Sequence, residues 1–140
     1  MADRNTDYSS IPNLSRVIRY AYPAARPMTD FQVMDTRGVV NIIVWNTEKL
    51  GAQPDVAYLQ TQVAGATTFW GKEFCKTEAE RLLAESDWSE LKDVVDPTNT
   101  PYLSNASEWT TYRVALRVYV ATPVDNPSWP TKPSATWSTD

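Results

Sequence analysis

Histidine is absent from the 140 residues, and cysteine occurs once, at Cys75. The first absence removes His-dependent catalytic triads, His-containing zinc sites and the ordinary neutral-pH proton shuttle. The second rules out an intramolecular disulfide or a thiolate metal cluster. Basic residues do not predominate: 13 Lys and Arg face 17 Asp and Glu, a net charge of −4. That balance supplies no general electrostatic reason to expect nucleic acid or an anionic membrane as partner. No apolar run approaches the roughly 18 residues of a membrane span, and the polar first twelve residues have no signal-peptide core. The cytoplasm is the expected compartment. Glycine is scarce, at four, whereas proline reaches ten and tryptophan six. Aromatic anchors and stiff extended segments suit a chain that docks on other polypeptide, and the same rings can equally fill a core.

Residues 1–12 read as a flexible arm. From Asn13 or Ser15 as cap, Leu14, Val17, Ile18 and Ala21 fall on one side of a short helix that Pro23 stops. Phe31–Met34 and Val39–Trp45 flank the turn Asp35-Thr36-Arg37-Gly38 and predict a β-hairpin. Strict alternation in its second strand puts Val40, Ile42 and Val44 on one face and Val39, Ile43 and Trp45 on the other. Asp55 can cap a helix with Val56, Leu59 and Val63 in a stripe, which Gly65 is expected to end, so the first module spans 13–64.

Residues 65–127 read as a helical module. Thr77 can cap a helix starting Glu78-Ala79-Glu80 with Leu82 and Leu83 on its apolar side. A loop carrying Pro97 and Pro101 follows, and then, from Ser104 or Asn105 as cap, a helix with Trp109, Tyr112, Leu116 and Tyr119 in one stripe. Residues 128–140, with Pro130 and Pro133, lack periodicity and read as an extended tail, mobile past Trp129. The fold expected is α+β: an N-terminal helix and hairpin, a C-terminal helical hairpin, and a Pro/Trp tail.

Three features imitate catalytic signatures. Gly65-Ala-Thr-Thr-Phe-Trp-Gly71-Lys72 has one residue too many between its glycines for a phosphate loop, and Glu73 stands where a hydroxyl is needed. Glu78, Glu85, Asp87 and Glu90 lie among Lys and Arg, the pattern of a solvated face rather than a metal site. Cys75 has no base to activate it. No enzyme activity and no cofactor are expected.

What remains is a set of elements in order: Leu82-Leu83-Ala84-Glu85-Ser86-Asp87-Trp88, then Trp109, Tyr112, Arg113, Leu116 and Arg117, then Pro127, Trp129 and Pro130. This set resembles the phage tail assembly chaperone family over residues 80–133. Ile18 to Pro23, Asp30 to Val33, Trp45-Asn46 and Pro54 also resemble a module of small phage tail and prophage proteins. The resemblance implies a bacteriophage tail or tail-fibre assembly protein that binds another phage structural polypeptide through aromatic surfaces. It would act in the host cytoplasm during assembly and could form a homo-oligomer. The rival expectation is a permanent virion component, a fibre-associated or baseplate connector located in the tail. Read from the residues alone, Trp88 folds against Trp109 and Tyr112 while Asp87 accepts from a backbone amide, and the Trp129 segment either lies back over the helices or reaches a partner.

Overall fold

The computed structural model describes residues 2–139 and is an α+β chain. Its elements are α1 (Leu14–Ala21), β1 (Phe31–Thr36), β2 (Val39–Trp45), α2 (Thr47–Leu50), α3 (Val56–Glu85), a 3₁₀ turn (Asp87–Glu90), α4 (Lys92–Val95), β3 (Tyr102–Leu103), α5 (Ala106–Ala121) and β4 (Trp137–Ser138). Two compact units divide between Trp70 and Gly71, six residues beyond the boundary expected at residue 64. Helix α3 contributes its residues up to Trp70 to the first unit and the remainder to the second.

In the first unit β1 and β2 pair antiparallel around Arg37 and Gly38, both at positive φ (55° and 87°), the geometry of a tight hairpin turn. Asp35 stabilises it by accepting from the Gly38 amide at 2.9 Å. A register shift between Gln32 and Val33 pairs these two residues with Val44 and Ile42, so Ile43 is the extra residue of a β-bulge. The bulge corrects the strict alternation expected for β2: Ile42 and Trp45, three apart, are its two buried residues. They join Leu14, Val17 and Ile18 of α1, Phe31 of β1 and Leu59 and Ala66 of α3 in one core.

The expected flexible arm enters that core. Tyr8 and Ile11 are buried, the Tyr8 amide donates to Val40 O at 2.7 Å, and its hydroxyl donates to Pro54 O at 2.7 Å. Two apolar side chains, with a phenol whose hydroxyl finds an acceptor, outweigh the polarity of the surrounding segment.

Gly65 does not end a helix, and Thr77 does not start one; α3 passes through both for 30 residues. A Cβ on Gly65 would stand 2.5 Å from Tyr20 Oη, so glycine is what admits the tyrosine against the helix. The expected cap at Asp55 is present, accepting from the Tyr58 amide at 2.7 Å. Although α3 is about 45 Å long at the usual rise, it is studded with Lys, Glu and Arg. Among the described residues no helix is long and apolar enough to cross a membrane.

Asp30 holds the first unit's corner. Its carboxylate is buried and accepts from Lys49 Nζ at 2.6 Å, the Arg26 amide at 2.9 Å and Asn46 Nδ2 at 3.2 Å, while its carbonyl accepts from the Asn46 amide. The Lys49 contact first, then the Arg26 amide and the Asn46 amide group, hold the carboxyl below the ordinary aspartate range. A depressed folded-state value means the stabilisation is complete above the unfolded value, near pH 4, and fades as pH falls through the folded one. Chemical denaturation between about pH 7 and about pH 2 should therefore show a stability decline that Asp30→Asn partly flattens. An identical pH slope for the variant would exclude Asp30 as a source of acid sensitivity.

Candidate functional site

The second unit is built on the residues singled out as motif. Trp109, Tyr112, Arg113 and Leu116 are all buried on one face of α5. Trp88, half-buried in the 3₁₀ turn, meets Trp109 edge-on at 4.9 Å between ring centroids, and Trp109 meets Tyr112 at 6.1 Å. Leu82 and Leu83 of α3, Val94 and Val95 of α4, Leu103 of β3 and Trp129 close the cluster. The aromatic stripe is therefore core, and the expected contact between Trp88 and the rings of α5 is made through Trp109.

Arg113 is the polar centre of this unit. Its side chain is only 8% exposed. Nη1 donates to Leu83 O and to Ser86 Oγ, each at 2.7 Å, and Nη2 donates to Asp87 Oδ1 at 2.9 Å. Glu90 Oε1 lies 3.5 Å from Nε, an ion-pair distance with no hydrogen bond to that nitrogen. Asp87 thus takes the guanidinium rather than the backbone amide expected. The planar fork explains why a serine and an aspartate precede the tryptophan: the helix end at Leu83, the Ser86 hydroxyl and the Asp87 carboxylate are three acceptors spaced for one guanidinium. Ser86 Oγ in turn donates back to the α3 carbonyls of Leu82 and Leu83, at 2.9 and 3.1 Å. Arg117, four residues on, is exposed and takes no part in the fork.

The tail differs from the mobile segment expected. Tyr119 Oη donates to Ser128 O at 2.8 Å and accepts from the Ser128 amide, with Trp129 packed edge-on at 5.3 Å. Pro127, Trp129 and Pro130 are half-buried. Further along, Lys132 pairs with Glu85 at 2.7 Å, and Asn105 donates to Ser134 O and accepts from the Thr136 amide. Strand β4 then pairs with β3, and Trp137 stacks on Trp88 at 6.0 Å. Asn105, expected as a helix cap, makes no side-chain cap on α5 and ties down the tail instead. Of the two placements open for the Trp129 segment, it adopts the one that lies back on its own unit.

The outward face of α5 is another matter. Ser107, Thr111, Val114, Val118 and Ala121 recur at three- and four-residue spacing opposite the buried stripe, and all are exposed, Val114 by 51% and Val118 by 59%. An uncharged ridge with two valines in water is a surface suited to a partner. Sequence reading passed over it because the stronger aromatic stripe on the same helix masks it. Phe74 of α3, 65% exposed, is a further apolar group in this unit.

Three replacements separate core from rim. Arg113→Ala should cost about 2 to 3 kcal/mol, because it strands buried acceptors, whereas Asp87→Ala, whose side chain is 68% exposed, should cost under about 1 kcal/mol. Trp109→Ala should cost about 3 to 5 kcal/mol as a core truncation. Urea denaturation of the three variants checks the order; equal losses for Arg113→Ala and Asp87→Ala would contradict the buried fork.

Compared with known proteins, residues 14–68 match a family model described as XkdW protein, a phage-associated family. The match covers 55 of the 140 residues and lies within the first unit. It contains Ile18 to Pro23, Asp30 to Val33, Trp45-Asn46 and Pro54, whose places are now defined: Tyr22 packs edge-on against Trp45 at 5.1 Å, Trp45 Nε1 donates to Gly51 O, and Asp30 binds Lys49. The match does not reach the second unit, where the tail assembly chaperone resemblance rests. No curated protein and no solved structure matches the chain.

Proposed function

We propose that this protein is a bacteriophage tail or tail-fibre assembly factor that acts, chaperone-like, by binding another phage structural polypeptide, without bond chemistry and without a cofactor. One observation carries the phage setting: the match of residues 14–68 to a phage-associated family. The mode of action is supported by where the apolar groups lie. Trp109, Tyr112 and Leu116 are consumed by the second unit's own core, so they serve as scaffold for the opposite face of α5. That face offers Val114 and Val118 to a partner, and a helix held rigid by a packed stripe loses little entropy on docking. The aromatic residues therefore contribute to binding indirectly, by fixing the helix, while Trp137, half exposed, is the indole with most surface still open to water. Action in the host cytoplasm follows from a role before particles are complete.

A second reading, a permanent connector of the virion tail, is favoured by the position of the family match, which lies outside the segment resembling assembly chaperones. Mass spectrometry of purified particles separates the two: stoichiometric copies establish the connector, and absence from particles establishes the assembly factor.

Val118→Asp should abolish capture of the phage polypeptide while changing stability by less than about 1 kcal/mol, since the side chain is largely in water. Co-purification from infected cells alongside a denaturation curve checks it. Full capture by a folded Val118→Asp/Val114→Asp variant would remove the α5 ridge from the account.

A further inference from the structure

The first unit carries a hollow of its own. Its volume is about 300 Å³, and Arg19, Pro23, Arg26, Pro27, Phe69 and Trp70 line it. Two arginines, Arg19 and Arg26, are among the residues that form it, and no Asp or Glu is. Asp30, the nearest acid in sequence to Arg26, is buried and engaged with Lys49, and its bond to Arg26 is to the backbone amide, not the side chain.

The indole that forms one wall is fixed. Trp70 Nε1 donates to Arg16 O at 2.8 Å, and its ring meets Phe69 edge-on at 5.1 Å, while Phe69 meets Tyr20 at 5.7 Å. Arg19 Cζ lies over the Trp70 ring, 4.7 Å from its centroid. A guanidinium held over an indole face keeps its N–H donors directed outward from its edge, the arrangement that grips a carboxylate bidentately. Pro23 and Pro27 also line the hollow; they are stiff and carry no amide donors, so the two arginines are the anion-seeking residues of the lining. Beside Pro27, Met28 adopts a left-handed backbone (φ 68°) and is 72% exposed, an adaptable apolar group at the end of the lining segment.

We propose that this hollow is a docking site for one acidic side chain, Glu or Asp, in an extended segment of a partner polypeptide, with the carboxylate between Arg19 and Arg26 and the adjoining apolar residue against Phe69 and Trp70. The inference rests on the reading that the protein acts by binding polypeptide, and it names the chemistry of a contact which that reading leaves open. Charge complementarity selects the occupant: a hollow of this size admits a side chain rather than a helix, and a guanidinium over an indole with a second arginine in the same lining rewards a carboxylate with an apolar neighbour.

The test uses the full chain and a blocked six-residue peptide in which one glutamate stands between proline and phenylalanine, with its glutamine twin as control. In a titration followed by NMR, the glutamate peptide should move the Trp70 indole N–H and the Arg19 and Arg26 Nε–H signals. The glutamine twin should bind at least about tenfold more weakly, the loss expected when a charge-assisted pair is replaced by a neutral one. Arg19→Gln/Arg26→Gln should remove the response with the rest of the spectrum unchanged, and Arg26→Gln alone should weaken it. Equal binding of the two peptides overturns the proposal, as does no response to the glutamate peptide at about 10 mM, a concentration that reveals even millimolar affinity. Tighter binding of inorganic phosphate or of a short oligothymidylate at the same signals also overturns it, reassigning the hollow to a general anion or to nucleic acid. Because the assay contains no phage component, it can fail while the assembly reading stands and succeed while that reading falls.

Discussion

The guanidinium of Arg113 is the constraint on which the second unit depends. It sits almost wholly out of water and satisfies a helix-end carbonyl, a serine hydroxyl and a carboxylate at once. Removing a cation from water is costly, and much of the return from its pairing is offset by that desolvation. What the arrangement supplies above all is definition: a planar fork with fixed donor directions accepts one placement of Leu83, Ser86 and Asp87 and no neighbouring one. The position of Trp88 follows, because it is the next residue along, and Trp88 then meets both Trp109, edge-on, and Trp137, stacked.

This has a consequence for how such a chain can bind. Rings that look like grips in the sequence are spent on holding α5, the 3₁₀ turn and the tail together, and the faces left in water are chemically different. The ridge of α5 is uncharged, with two valines among small and hydroxylated residues; the hollow of the first unit is basic and aromatic. Each unit brings its own core and its own open surface.

Much of this was legible in the sequence where local chemistry governs. The Arg37-Gly38 turn, the cap at Asp55 and the stripe Trp109, Tyr112, Leu116 each rest on residues a few positions apart, and each forms as the spacing predicts. What failed were inferences in which a local signal met a distant partner. Gly65 looks like a helix end, yet it is the gap through which Tyr20 reaches α3. Residues 2–12 look like an arm because Tyr8 and Ile11 are diluted among polar neighbours, and the tail looks free because proline prevents periodicity, not packing. The bulge at Ile43 re-phases β2 in a way no alternation rule can show. Of the motif residues, Trp109 and Tyr112 fill a core, as their helical spacing suggests, whereas Asp87 serves a buried arginine 26 residues away, a partner no local signal identifies. Trp70 and Arg19 drew no notice as a pair because 51 residues separate them.

A double-mutant cycle between Ser86 and Arg113 tests the central claim most directly, since it isolates the energy the two side chains share from whatever each does alone. Ser86→Ala, Arg113→Met and the double variant, compared by urea denaturation at neutral pH, should show a coupling of at least about 1 kcal/mol, the scale for residues in one hydrogen-bonded network. Losses that add to within about 0.3 kcal/mol, the behaviour of independent sites, would mean the fork does not organise the unit.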